Sequence, residues 1–164
     1  MSDTLFPRAG FRRRLGSYIY DFLLSIAVYM CAGAISFGVF GLLFAQGIIA
    51  HQGFTHASDL QQNSLFYSSI IYSWNLFWVA FFFVYFWQKS GQTIGMRAWR
   101  LRVQNQGGGL ISFATGWKRI LFTCLGLGNL WVLFDRKNKL ALQDKFTQTE
   151  VVVLTLEANR ASLG

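Results

Sequence analysis

LFYSSIIYSWNLFWVAFFFVYFW, residues Leu65–Trp87, runs 23 positions without an Asp, Glu, Lys, Arg or His. As a helix it would extend about 34 Å, enough to cross a hydrocarbon core of roughly 30 Å. The stretch therefore reads as a transmembrane helix. Toward the N-terminus, Leu15–Ala45 is apolar with a single charge, Asp21. It also exceeds the ~20 residues a span requires and reads as the first transmembrane helix, its opening turns at the interface.

The polar residues inside these runs carry the most information. An ionisable group within a span is costly and marks either a pathway or a buried partner, so Asp21 is the first candidate site residue. Arg14 stands two turns earlier and is expected to snorkel toward the headgroups. That leaves Asp21 to meet a base from another segment, Arg119 before all others. Asn75, near the middle of the second span, needs a partner across helices. Ala34, Gly38, Gly41 and Ala45 place small residues at helical spacing, which permits close packing against a neighbouring helix or a second subunit.

A third apolar run, Ile120–Phe134, has only 15 residues and holds Gly126, Gly128 and Asn129 at its middle. Fifteen residues give about 22 Å of helix, short of a full crossing. Positive charge decides its reading, because Lys and Arg accumulate on the cytoplasmic side. With two spans and a hairpin, all 15 Lys and Arg are cytoplasmic and the external loop 46–64 has none. A third crossing would carry Arg136, Lys137, Lys139, Lys145 and Arg160 outside. The reading adopted is a re-entrant or short third helical hairpin over about 118–134, with Gly126 and Gly128 at its tip.

Composition agrees with this reading. Only 13% of residues are charged against 53% hydrophobic, about half the charge of a typical soluble domain. The net charge of +8 belongs to the flanks of the spans, so nucleic acid is not an expected partner. Arg8, Arg12, Arg13, Arg14, Lys89, Arg97, Arg100 and Arg102 would form a cytoplasmic collar facing anionic lipids of the bilayer. Cys31 and Cys124 both lie in apolar runs and suggest no disulfide. RRR followed by an apolar run to Ala32-Gly33-Ala34 imitates a secretory signal, but Asp21 interrupts it and the run continues to Phe44. Between the second span and the hairpin, Arg100–Val103 followed by Asn105–Gly108 reads as a strand and turn. TEVVVLTL near the end is a second β-rich run able to pair with it.

The expected fold is thus an all-α membrane protein of two transmembrane helices, about 15–45 and 65–87, plus the hairpin and a small cytoplasmic β element. Residues 1–14 form a basic cytoplasmic N-terminus, 15–153 the membrane domain, and 154–164 a cytoplasmic tail. No catalytic order of Ser-His-Asp, Cys-His or paired carboxylates is visible, and Gly107-Gly108-Gly109 lacks the Lys and Ser/Thr of a phosphate loop. His51, His56 and Asp59 in the external loop make a poor metal set. No enzyme, cofactor or metal is expected.

Three ordered blocks resemble the RDD family, small bacterial membrane proteins named for one arginine and two aspartates. GFRRRLGSYIYD at 10–21 is similar to the family's opening, with Arg14 and Asp21 in the roles of arginine and first aspartate. GQTIGMRAWRLRV at 91–103 is similar to its G-x-T-x-G-K-R-x-x-G-L-R-V block, which singles out Gly91, Thr93, Gly95 and Arg97. Gln143-Asp144, followed by Thr149, Val151 and Val152, resembles its closing H-D-x-x-x-x-T-x-V-V and makes Asp144 the second aspartate. Met96, Arg100 and Gln143 depart from the usual Lys, Gly and His. The resemblance implies a bacterial inner-membrane protein, with transport or sodium/proton antiport suggested for some members. Inverted repeats typical of transporters are absent. The chain is therefore expected to act as a non-catalytic accessory or assembly subunit, in a homo-oligomer or larger membrane complex, with ion or solute transport as the alternative.

Overall fold

A computed structural model describes residues 6–135 and 137–161, except for the side chains of Cys124 and Leu125. Arg136 and the Cys124 side chain, both noted in the sequence, lie outside the described residues. The elements are α1 (Phe11–Ala45), α2 (Ala57–Asn63), α3 (Leu65–Lys89), α4 (Ile94–Ala98), β1 (Leu101–Asn105) and α5 (Phe113–Thr123). A 3-10 helix (Cys124–Leu130), α6 (Trp131–Phe134), α7 (Leu142–Thr147), β2 (Thr149–Val153) and α8 (Leu156–Ala161) follow.

Two helices, α1 and α3, are long and apolar enough to cross a membrane. Only 11% of the most apolar window of α1 and 17% of that of α3 are buried inside the protein. Helices hydrophobic all round yet left uncovered are those of a membrane protein, not the core helices of a soluble one. Ile35, Leu42 and Leu76 are among the side chains left outward.

The chain divides into two compact units. The smaller, Ser25–Phe81, joins the later part of α1 to α3 as far as Phe81 through the loop that carries α2. Phe40, Phe44, Leu60 and Ile71 form its core, with Tyr67 packed against them. His51 stacks on Phe44 at 4.2 Å and its Nε2 meets the Phe44 carbonyl at 3.0 Å, so this histidine staples the loop to the end of α1.

The other unit comprises 1–24 and 82–164. Its antiparallel pair sets Leu101 opposite Val153, Val103 opposite Val151 and Asn105 opposite Thr149. The two β-rich runs therefore do pair. Trp87, Met96, Leu101, Val103, Ile111 and Val151 close the core beneath the sheet.

Three stretches gain detail over the sequence reading. Within the basic N-terminal segment, Val153 N donates to Pro7 O at 2.8 Å and Ala9 N to Val151 O at 2.8 Å, and α1 already begins at Phe11. Gly91–Ala98 contains a short helix, with the Thr93 hydroxyl capping it by accepting from Met96 N at 3.1 Å. Over 118–134 the backbone is α-helical only in part. It continues α5, breaks into 3-10 turns where Gly126 takes φ +97°, and ends in the four-residue α6. Among the described residues no third helix is long and apolar enough to span.

Arg100 adopts φ +55°, a left-handed conformation that costs a side chain about 1 kcal/mol. This is the position where the resembled family often has glycine. Arg100→Gly should raise thermal stability by up to about 1 kcal/mol. The thermal midpoint in detergent reads it, and an unchanged or lower midpoint would contradict the assigned backbone conformation.

Candidate functional site: a buried charged centre

Asp144, at the first turn of α7, is wholly buried, with Arg14 Nη1 2.7 Å from its Oδ2 and Arg119 Nη1 2.9 Å from its Oδ1. Ala141 N donates to Oδ2 at 3.0 Å, a carboxylate at a helix start. Arg14 also donates to the carbonyls of Ala9 at 3.1 Å and Lys139 at 3.0 Å and to Asn129 Oδ1 at 3.3 Å. It is 3% exposed and does not snorkel. Arg119 lies over the Trp87 ring at 5.4 Å and donates to the Thr149 hydroxyl. Burial pushes the Asp144 carboxyl up, but the two guanidiniums outweigh it and hold it below the ordinary carboxylate range.

A polar network surrounds this triad. Asn129 Oδ1 accepts from Gln143 Nε2 at 3.1 Å as well as from Arg14, while its amide donates to the Tyr18 hydroxyl. Gln143 stands where the family often has histidine, and its amide bridges Asn129 without supplying a titrating group.

Asp21 occupies a second cradle. Thr93 Oγ1 donates to Asp21 Oδ2 at 2.6 Å, Gly95 N to Oδ1 at 2.9 Å and Ser17 Oγ to Oδ2 at 3.3 Å. The expected Asp21–Arg119 pair is thus replaced: Arg119 is held by Asp144, and Asp21 fastens the start of α4 to α1. A Cβ at Gly95 would lie 2.5 Å from Asp21 Oδ1 and 2.6 Å from Ser17 O, which explains the glycine. Gly91, at φ +71°, accepts from Val103 N at 2.7 Å and lets β1 return alongside it. Arg97 O accepts from Asn159 Nδ2 at 3.3 Å, tying α4 to α8.

The two cradles share a cavity of about 40 Å³ lined in part by Ser17, Tyr18, Asp21, Trp87, Arg119 and Gln143. Its size suits a water or two rather than an organic substrate, which needs some 300 Å³ or more. Met96 also lines it, so the family's usual lysine is replaced here by an apolar side chain. Among the described residues no group of three His, Cys, Asp or Glu side chains could hold a metal.

Arg14, Asp21 and Asp144, which the sequence reading set in the roles of one family's arginine and two aspartates, thus all lie buried in these two cradles. The RDD family model matches residues 8–148. The chain belongs to the RDD family. No curated protein and no solved structure gives a match. In this RDD protein Arg14 and Asp144 form one ion pair, while Asp21 serves the segment that carries Thr93 and Gly95.

The remaining sequence candidates fall outside this centre. Asn75 is buried and accepts from Ser36 Oγ at 3.1 Å, joining α3 to α1, with Gly33 making room for its amide. Ala34, Gly38 and Ala45 are exposed and Gly41 is half-buried, and a Cβ at Gly38 or Gly41 would meet nothing within 4 Å. Among the described residues, nothing packs closely against the stripe at Gly38 or Gly41. Sequence reasoning gave Trp87 and Ser17 no role and Thr149 only a place in the closing block. Asn129, a polar residue inside an apolar run, and Gln143, beside Asp144 in that block, gave the signals for the surrounding network.

Proposed function

We propose that this RDD protein is a non-catalytic accessory or assembly subunit of a bacterial inner-membrane complex. The observation that carries the reading is that the signature charges are spent internally, Asp144 on Arg14 and Arg119 and Asp21 on Thr93 and Gly95. Groups so engaged organise a fold and leave no substrate-sized site between them. An open groove of about 340 Å³ lined by Phe6, Arg8, Lys137, Asn138, Lys139 and Glu150 supports docking of an acidic partner segment. Glu150 holds Arg8 at 2.7 Å there. Copurification from mild detergent tests the reading: a stoichiometric foreign subunit supports it, and a homo-oligomer with no foreign subunit leaves the transport alternative open.

The cavity at Asp21 favours transport as the second reading, because an intramembrane carboxylate beside space for water is a feature of ion pathways. Asp21→Asn that folds normally yet loses ion flux in proteoliposomes would establish this alternative. Both readings place the termini in the cytoplasm, against anionic lipids, and the loop 46–64 outside. In a background lacking Cys31 and Cys124, cysteine at Thr55 should react with an impermeant thiol reagent in spheroplasts and cysteine at Asn138 should not. The reverse pattern would invert the topology.

A further inference from the structure

The apolar residues of 113–134 are distributed in a way that neither a crossing nor a hairpin requires. Gly116 and Arg119 are the buried residues of α5. A Cβ at Gly116 would sit 2.9 Å from Val84 Cγ1, so α5 lies directly against α3, about 7 Å before that helix ends at Lys89. Arg119 faces Trp87 one turn further along. In contrast, Leu121 is 74% exposed, Leu127 65% and Phe134 80%. Phe122 stacks on the exposed Phe146 at 4.6 Å, which extends this apolar surface onto α7. Lys118 is exposed, and Lys145 holds its ammonium 5.4 Å over the Trp131 ring while pairing with Asp135 at 2.8 Å.

We propose that α5, the 3-10 turns and α6 form an in-plane platform embedded in one leaflet, the leaflet that receives the first turns of α1 and the last turns of α3. The occupant of its apolar surface is lipid. Attachment to α3 at Val84 fixes the depth of α5 just inside the end of a span, where the leaflet surrounds it. Tryptophan beside lysine is the chemistry of the membrane interface, with the ring at headgroup level and the ammonium toward phosphate. The left-handed turn at Gly126 is tolerated there, since interfacial water reaches backbone that hydrocarbon would leave unsatisfied. The charged triad then lies on the protein side of α5 and lipid on the other. The inference requires only that the chain reside in a membrane and is independent of the accessory and transport readings.

Spin labels at Leu121, Leu127 and Phe134 test it, one at a time, in a background lacking Cys31 and Cys124. The protein is reconstituted in vesicles of phosphatidylethanolamine and phosphatidylglycerol. Collision with oxygen and with a water-soluble nickel chelate reports depth, with a label at Ile35 as the reference within the first span and one at the exposed Gly107 as the aqueous reference. The three labels should share one shallow depth, roughly 5–10 Å below the headgroups, between the two references. A label at Leu127 much deeper than its flanking pair would establish the re-entrant hairpin instead. Nickel accessibility at all three equal to that at Gly107 would place the surface outside the bilayer and also overturn the proposal. Leu130 and Leu133, both exposed, replace any position whose variant is not monodisperse.

Discussion

Asp144→Asn should leave little folded protein. One carboxylate, wholly buried, neutralises two guanidiniums that are themselves only 3% and 2% exposed. Removing one partner of a buried pair costs about 3–5 kcal/mol, and this substitution strands two charges at once. A loss of that size approaches the whole stability of many domains, roughly 5–15 kcal/mol. Arg119→Gln should be milder, because it leaves the one-to-one pair of Arg14 and Asp144. Replacing all three by apolar residues of similar volume should recover much of the loss, since no charge is then left alone. Yield of monodisperse protein and the thermal midpoint in mild detergent measure the series. Asp144→Asn no worse than Arg119→Gln would mean that the triad is not the clasp described.

Acid stability carries the same signature. Asp144 titrates below its ordinary value in the folded state, so its contribution is complete above the unfolded carboxylate value near 3.8. The contribution is lost as pH falls through the lower folded value. The parent should therefore lose stability on acidification below about pH 4, and the apolar triple variant should lose less.

Gly95→Ala is the second large expected effect. The added methyl would press on the Asp21 carboxylate and on the Ser17 carbonyl, a backbone atom of α1 that cannot swing aside. Relief requires α4 to move away, which also stretches the Gly95 N–H bond to Asp21. Overpacking together with a weakened bond to a buried charge should cost about 3 kcal/mol. Gly107→Ala is the control, because a Cβ there meets nothing within 4 Å, and it should stay within about 0.5 kcal/mol of the parent. Equal thermal midpoints for the two variants would remove the cradle as the reason for glycine at position 95.

By itself the sequence determined the membrane class, the two long helices, the β pair and the family's three blocks. Each rests on a local quantity, namely the length of an uncharged run, a two-residue alternation or an ordered motif, which holds whatever the rest of the chain does. Tertiary structure decided the pairing of the charges. Arg14 is seven positions from Asp21 in the chain, yet it reaches Asp144 because α7 and the sheet bring that carboxylate to the start of α1. Arg119, the partner expected for Asp21, is taken by Asp144 for the same reason, and Thr93 and Gly95 fill its place with neutral donors. The run 120–134 was legible as apolar but not as a shape, since its composition is the same for a hairpin and for an in-plane segment. What breaks it is φ +97° at Gly126, and what anchors it is the contact of Gly116 with Val84. Neither can be read from the sequence, because hydrophobicity sets where a segment partitions while steric contact with distant residues sets how it lies.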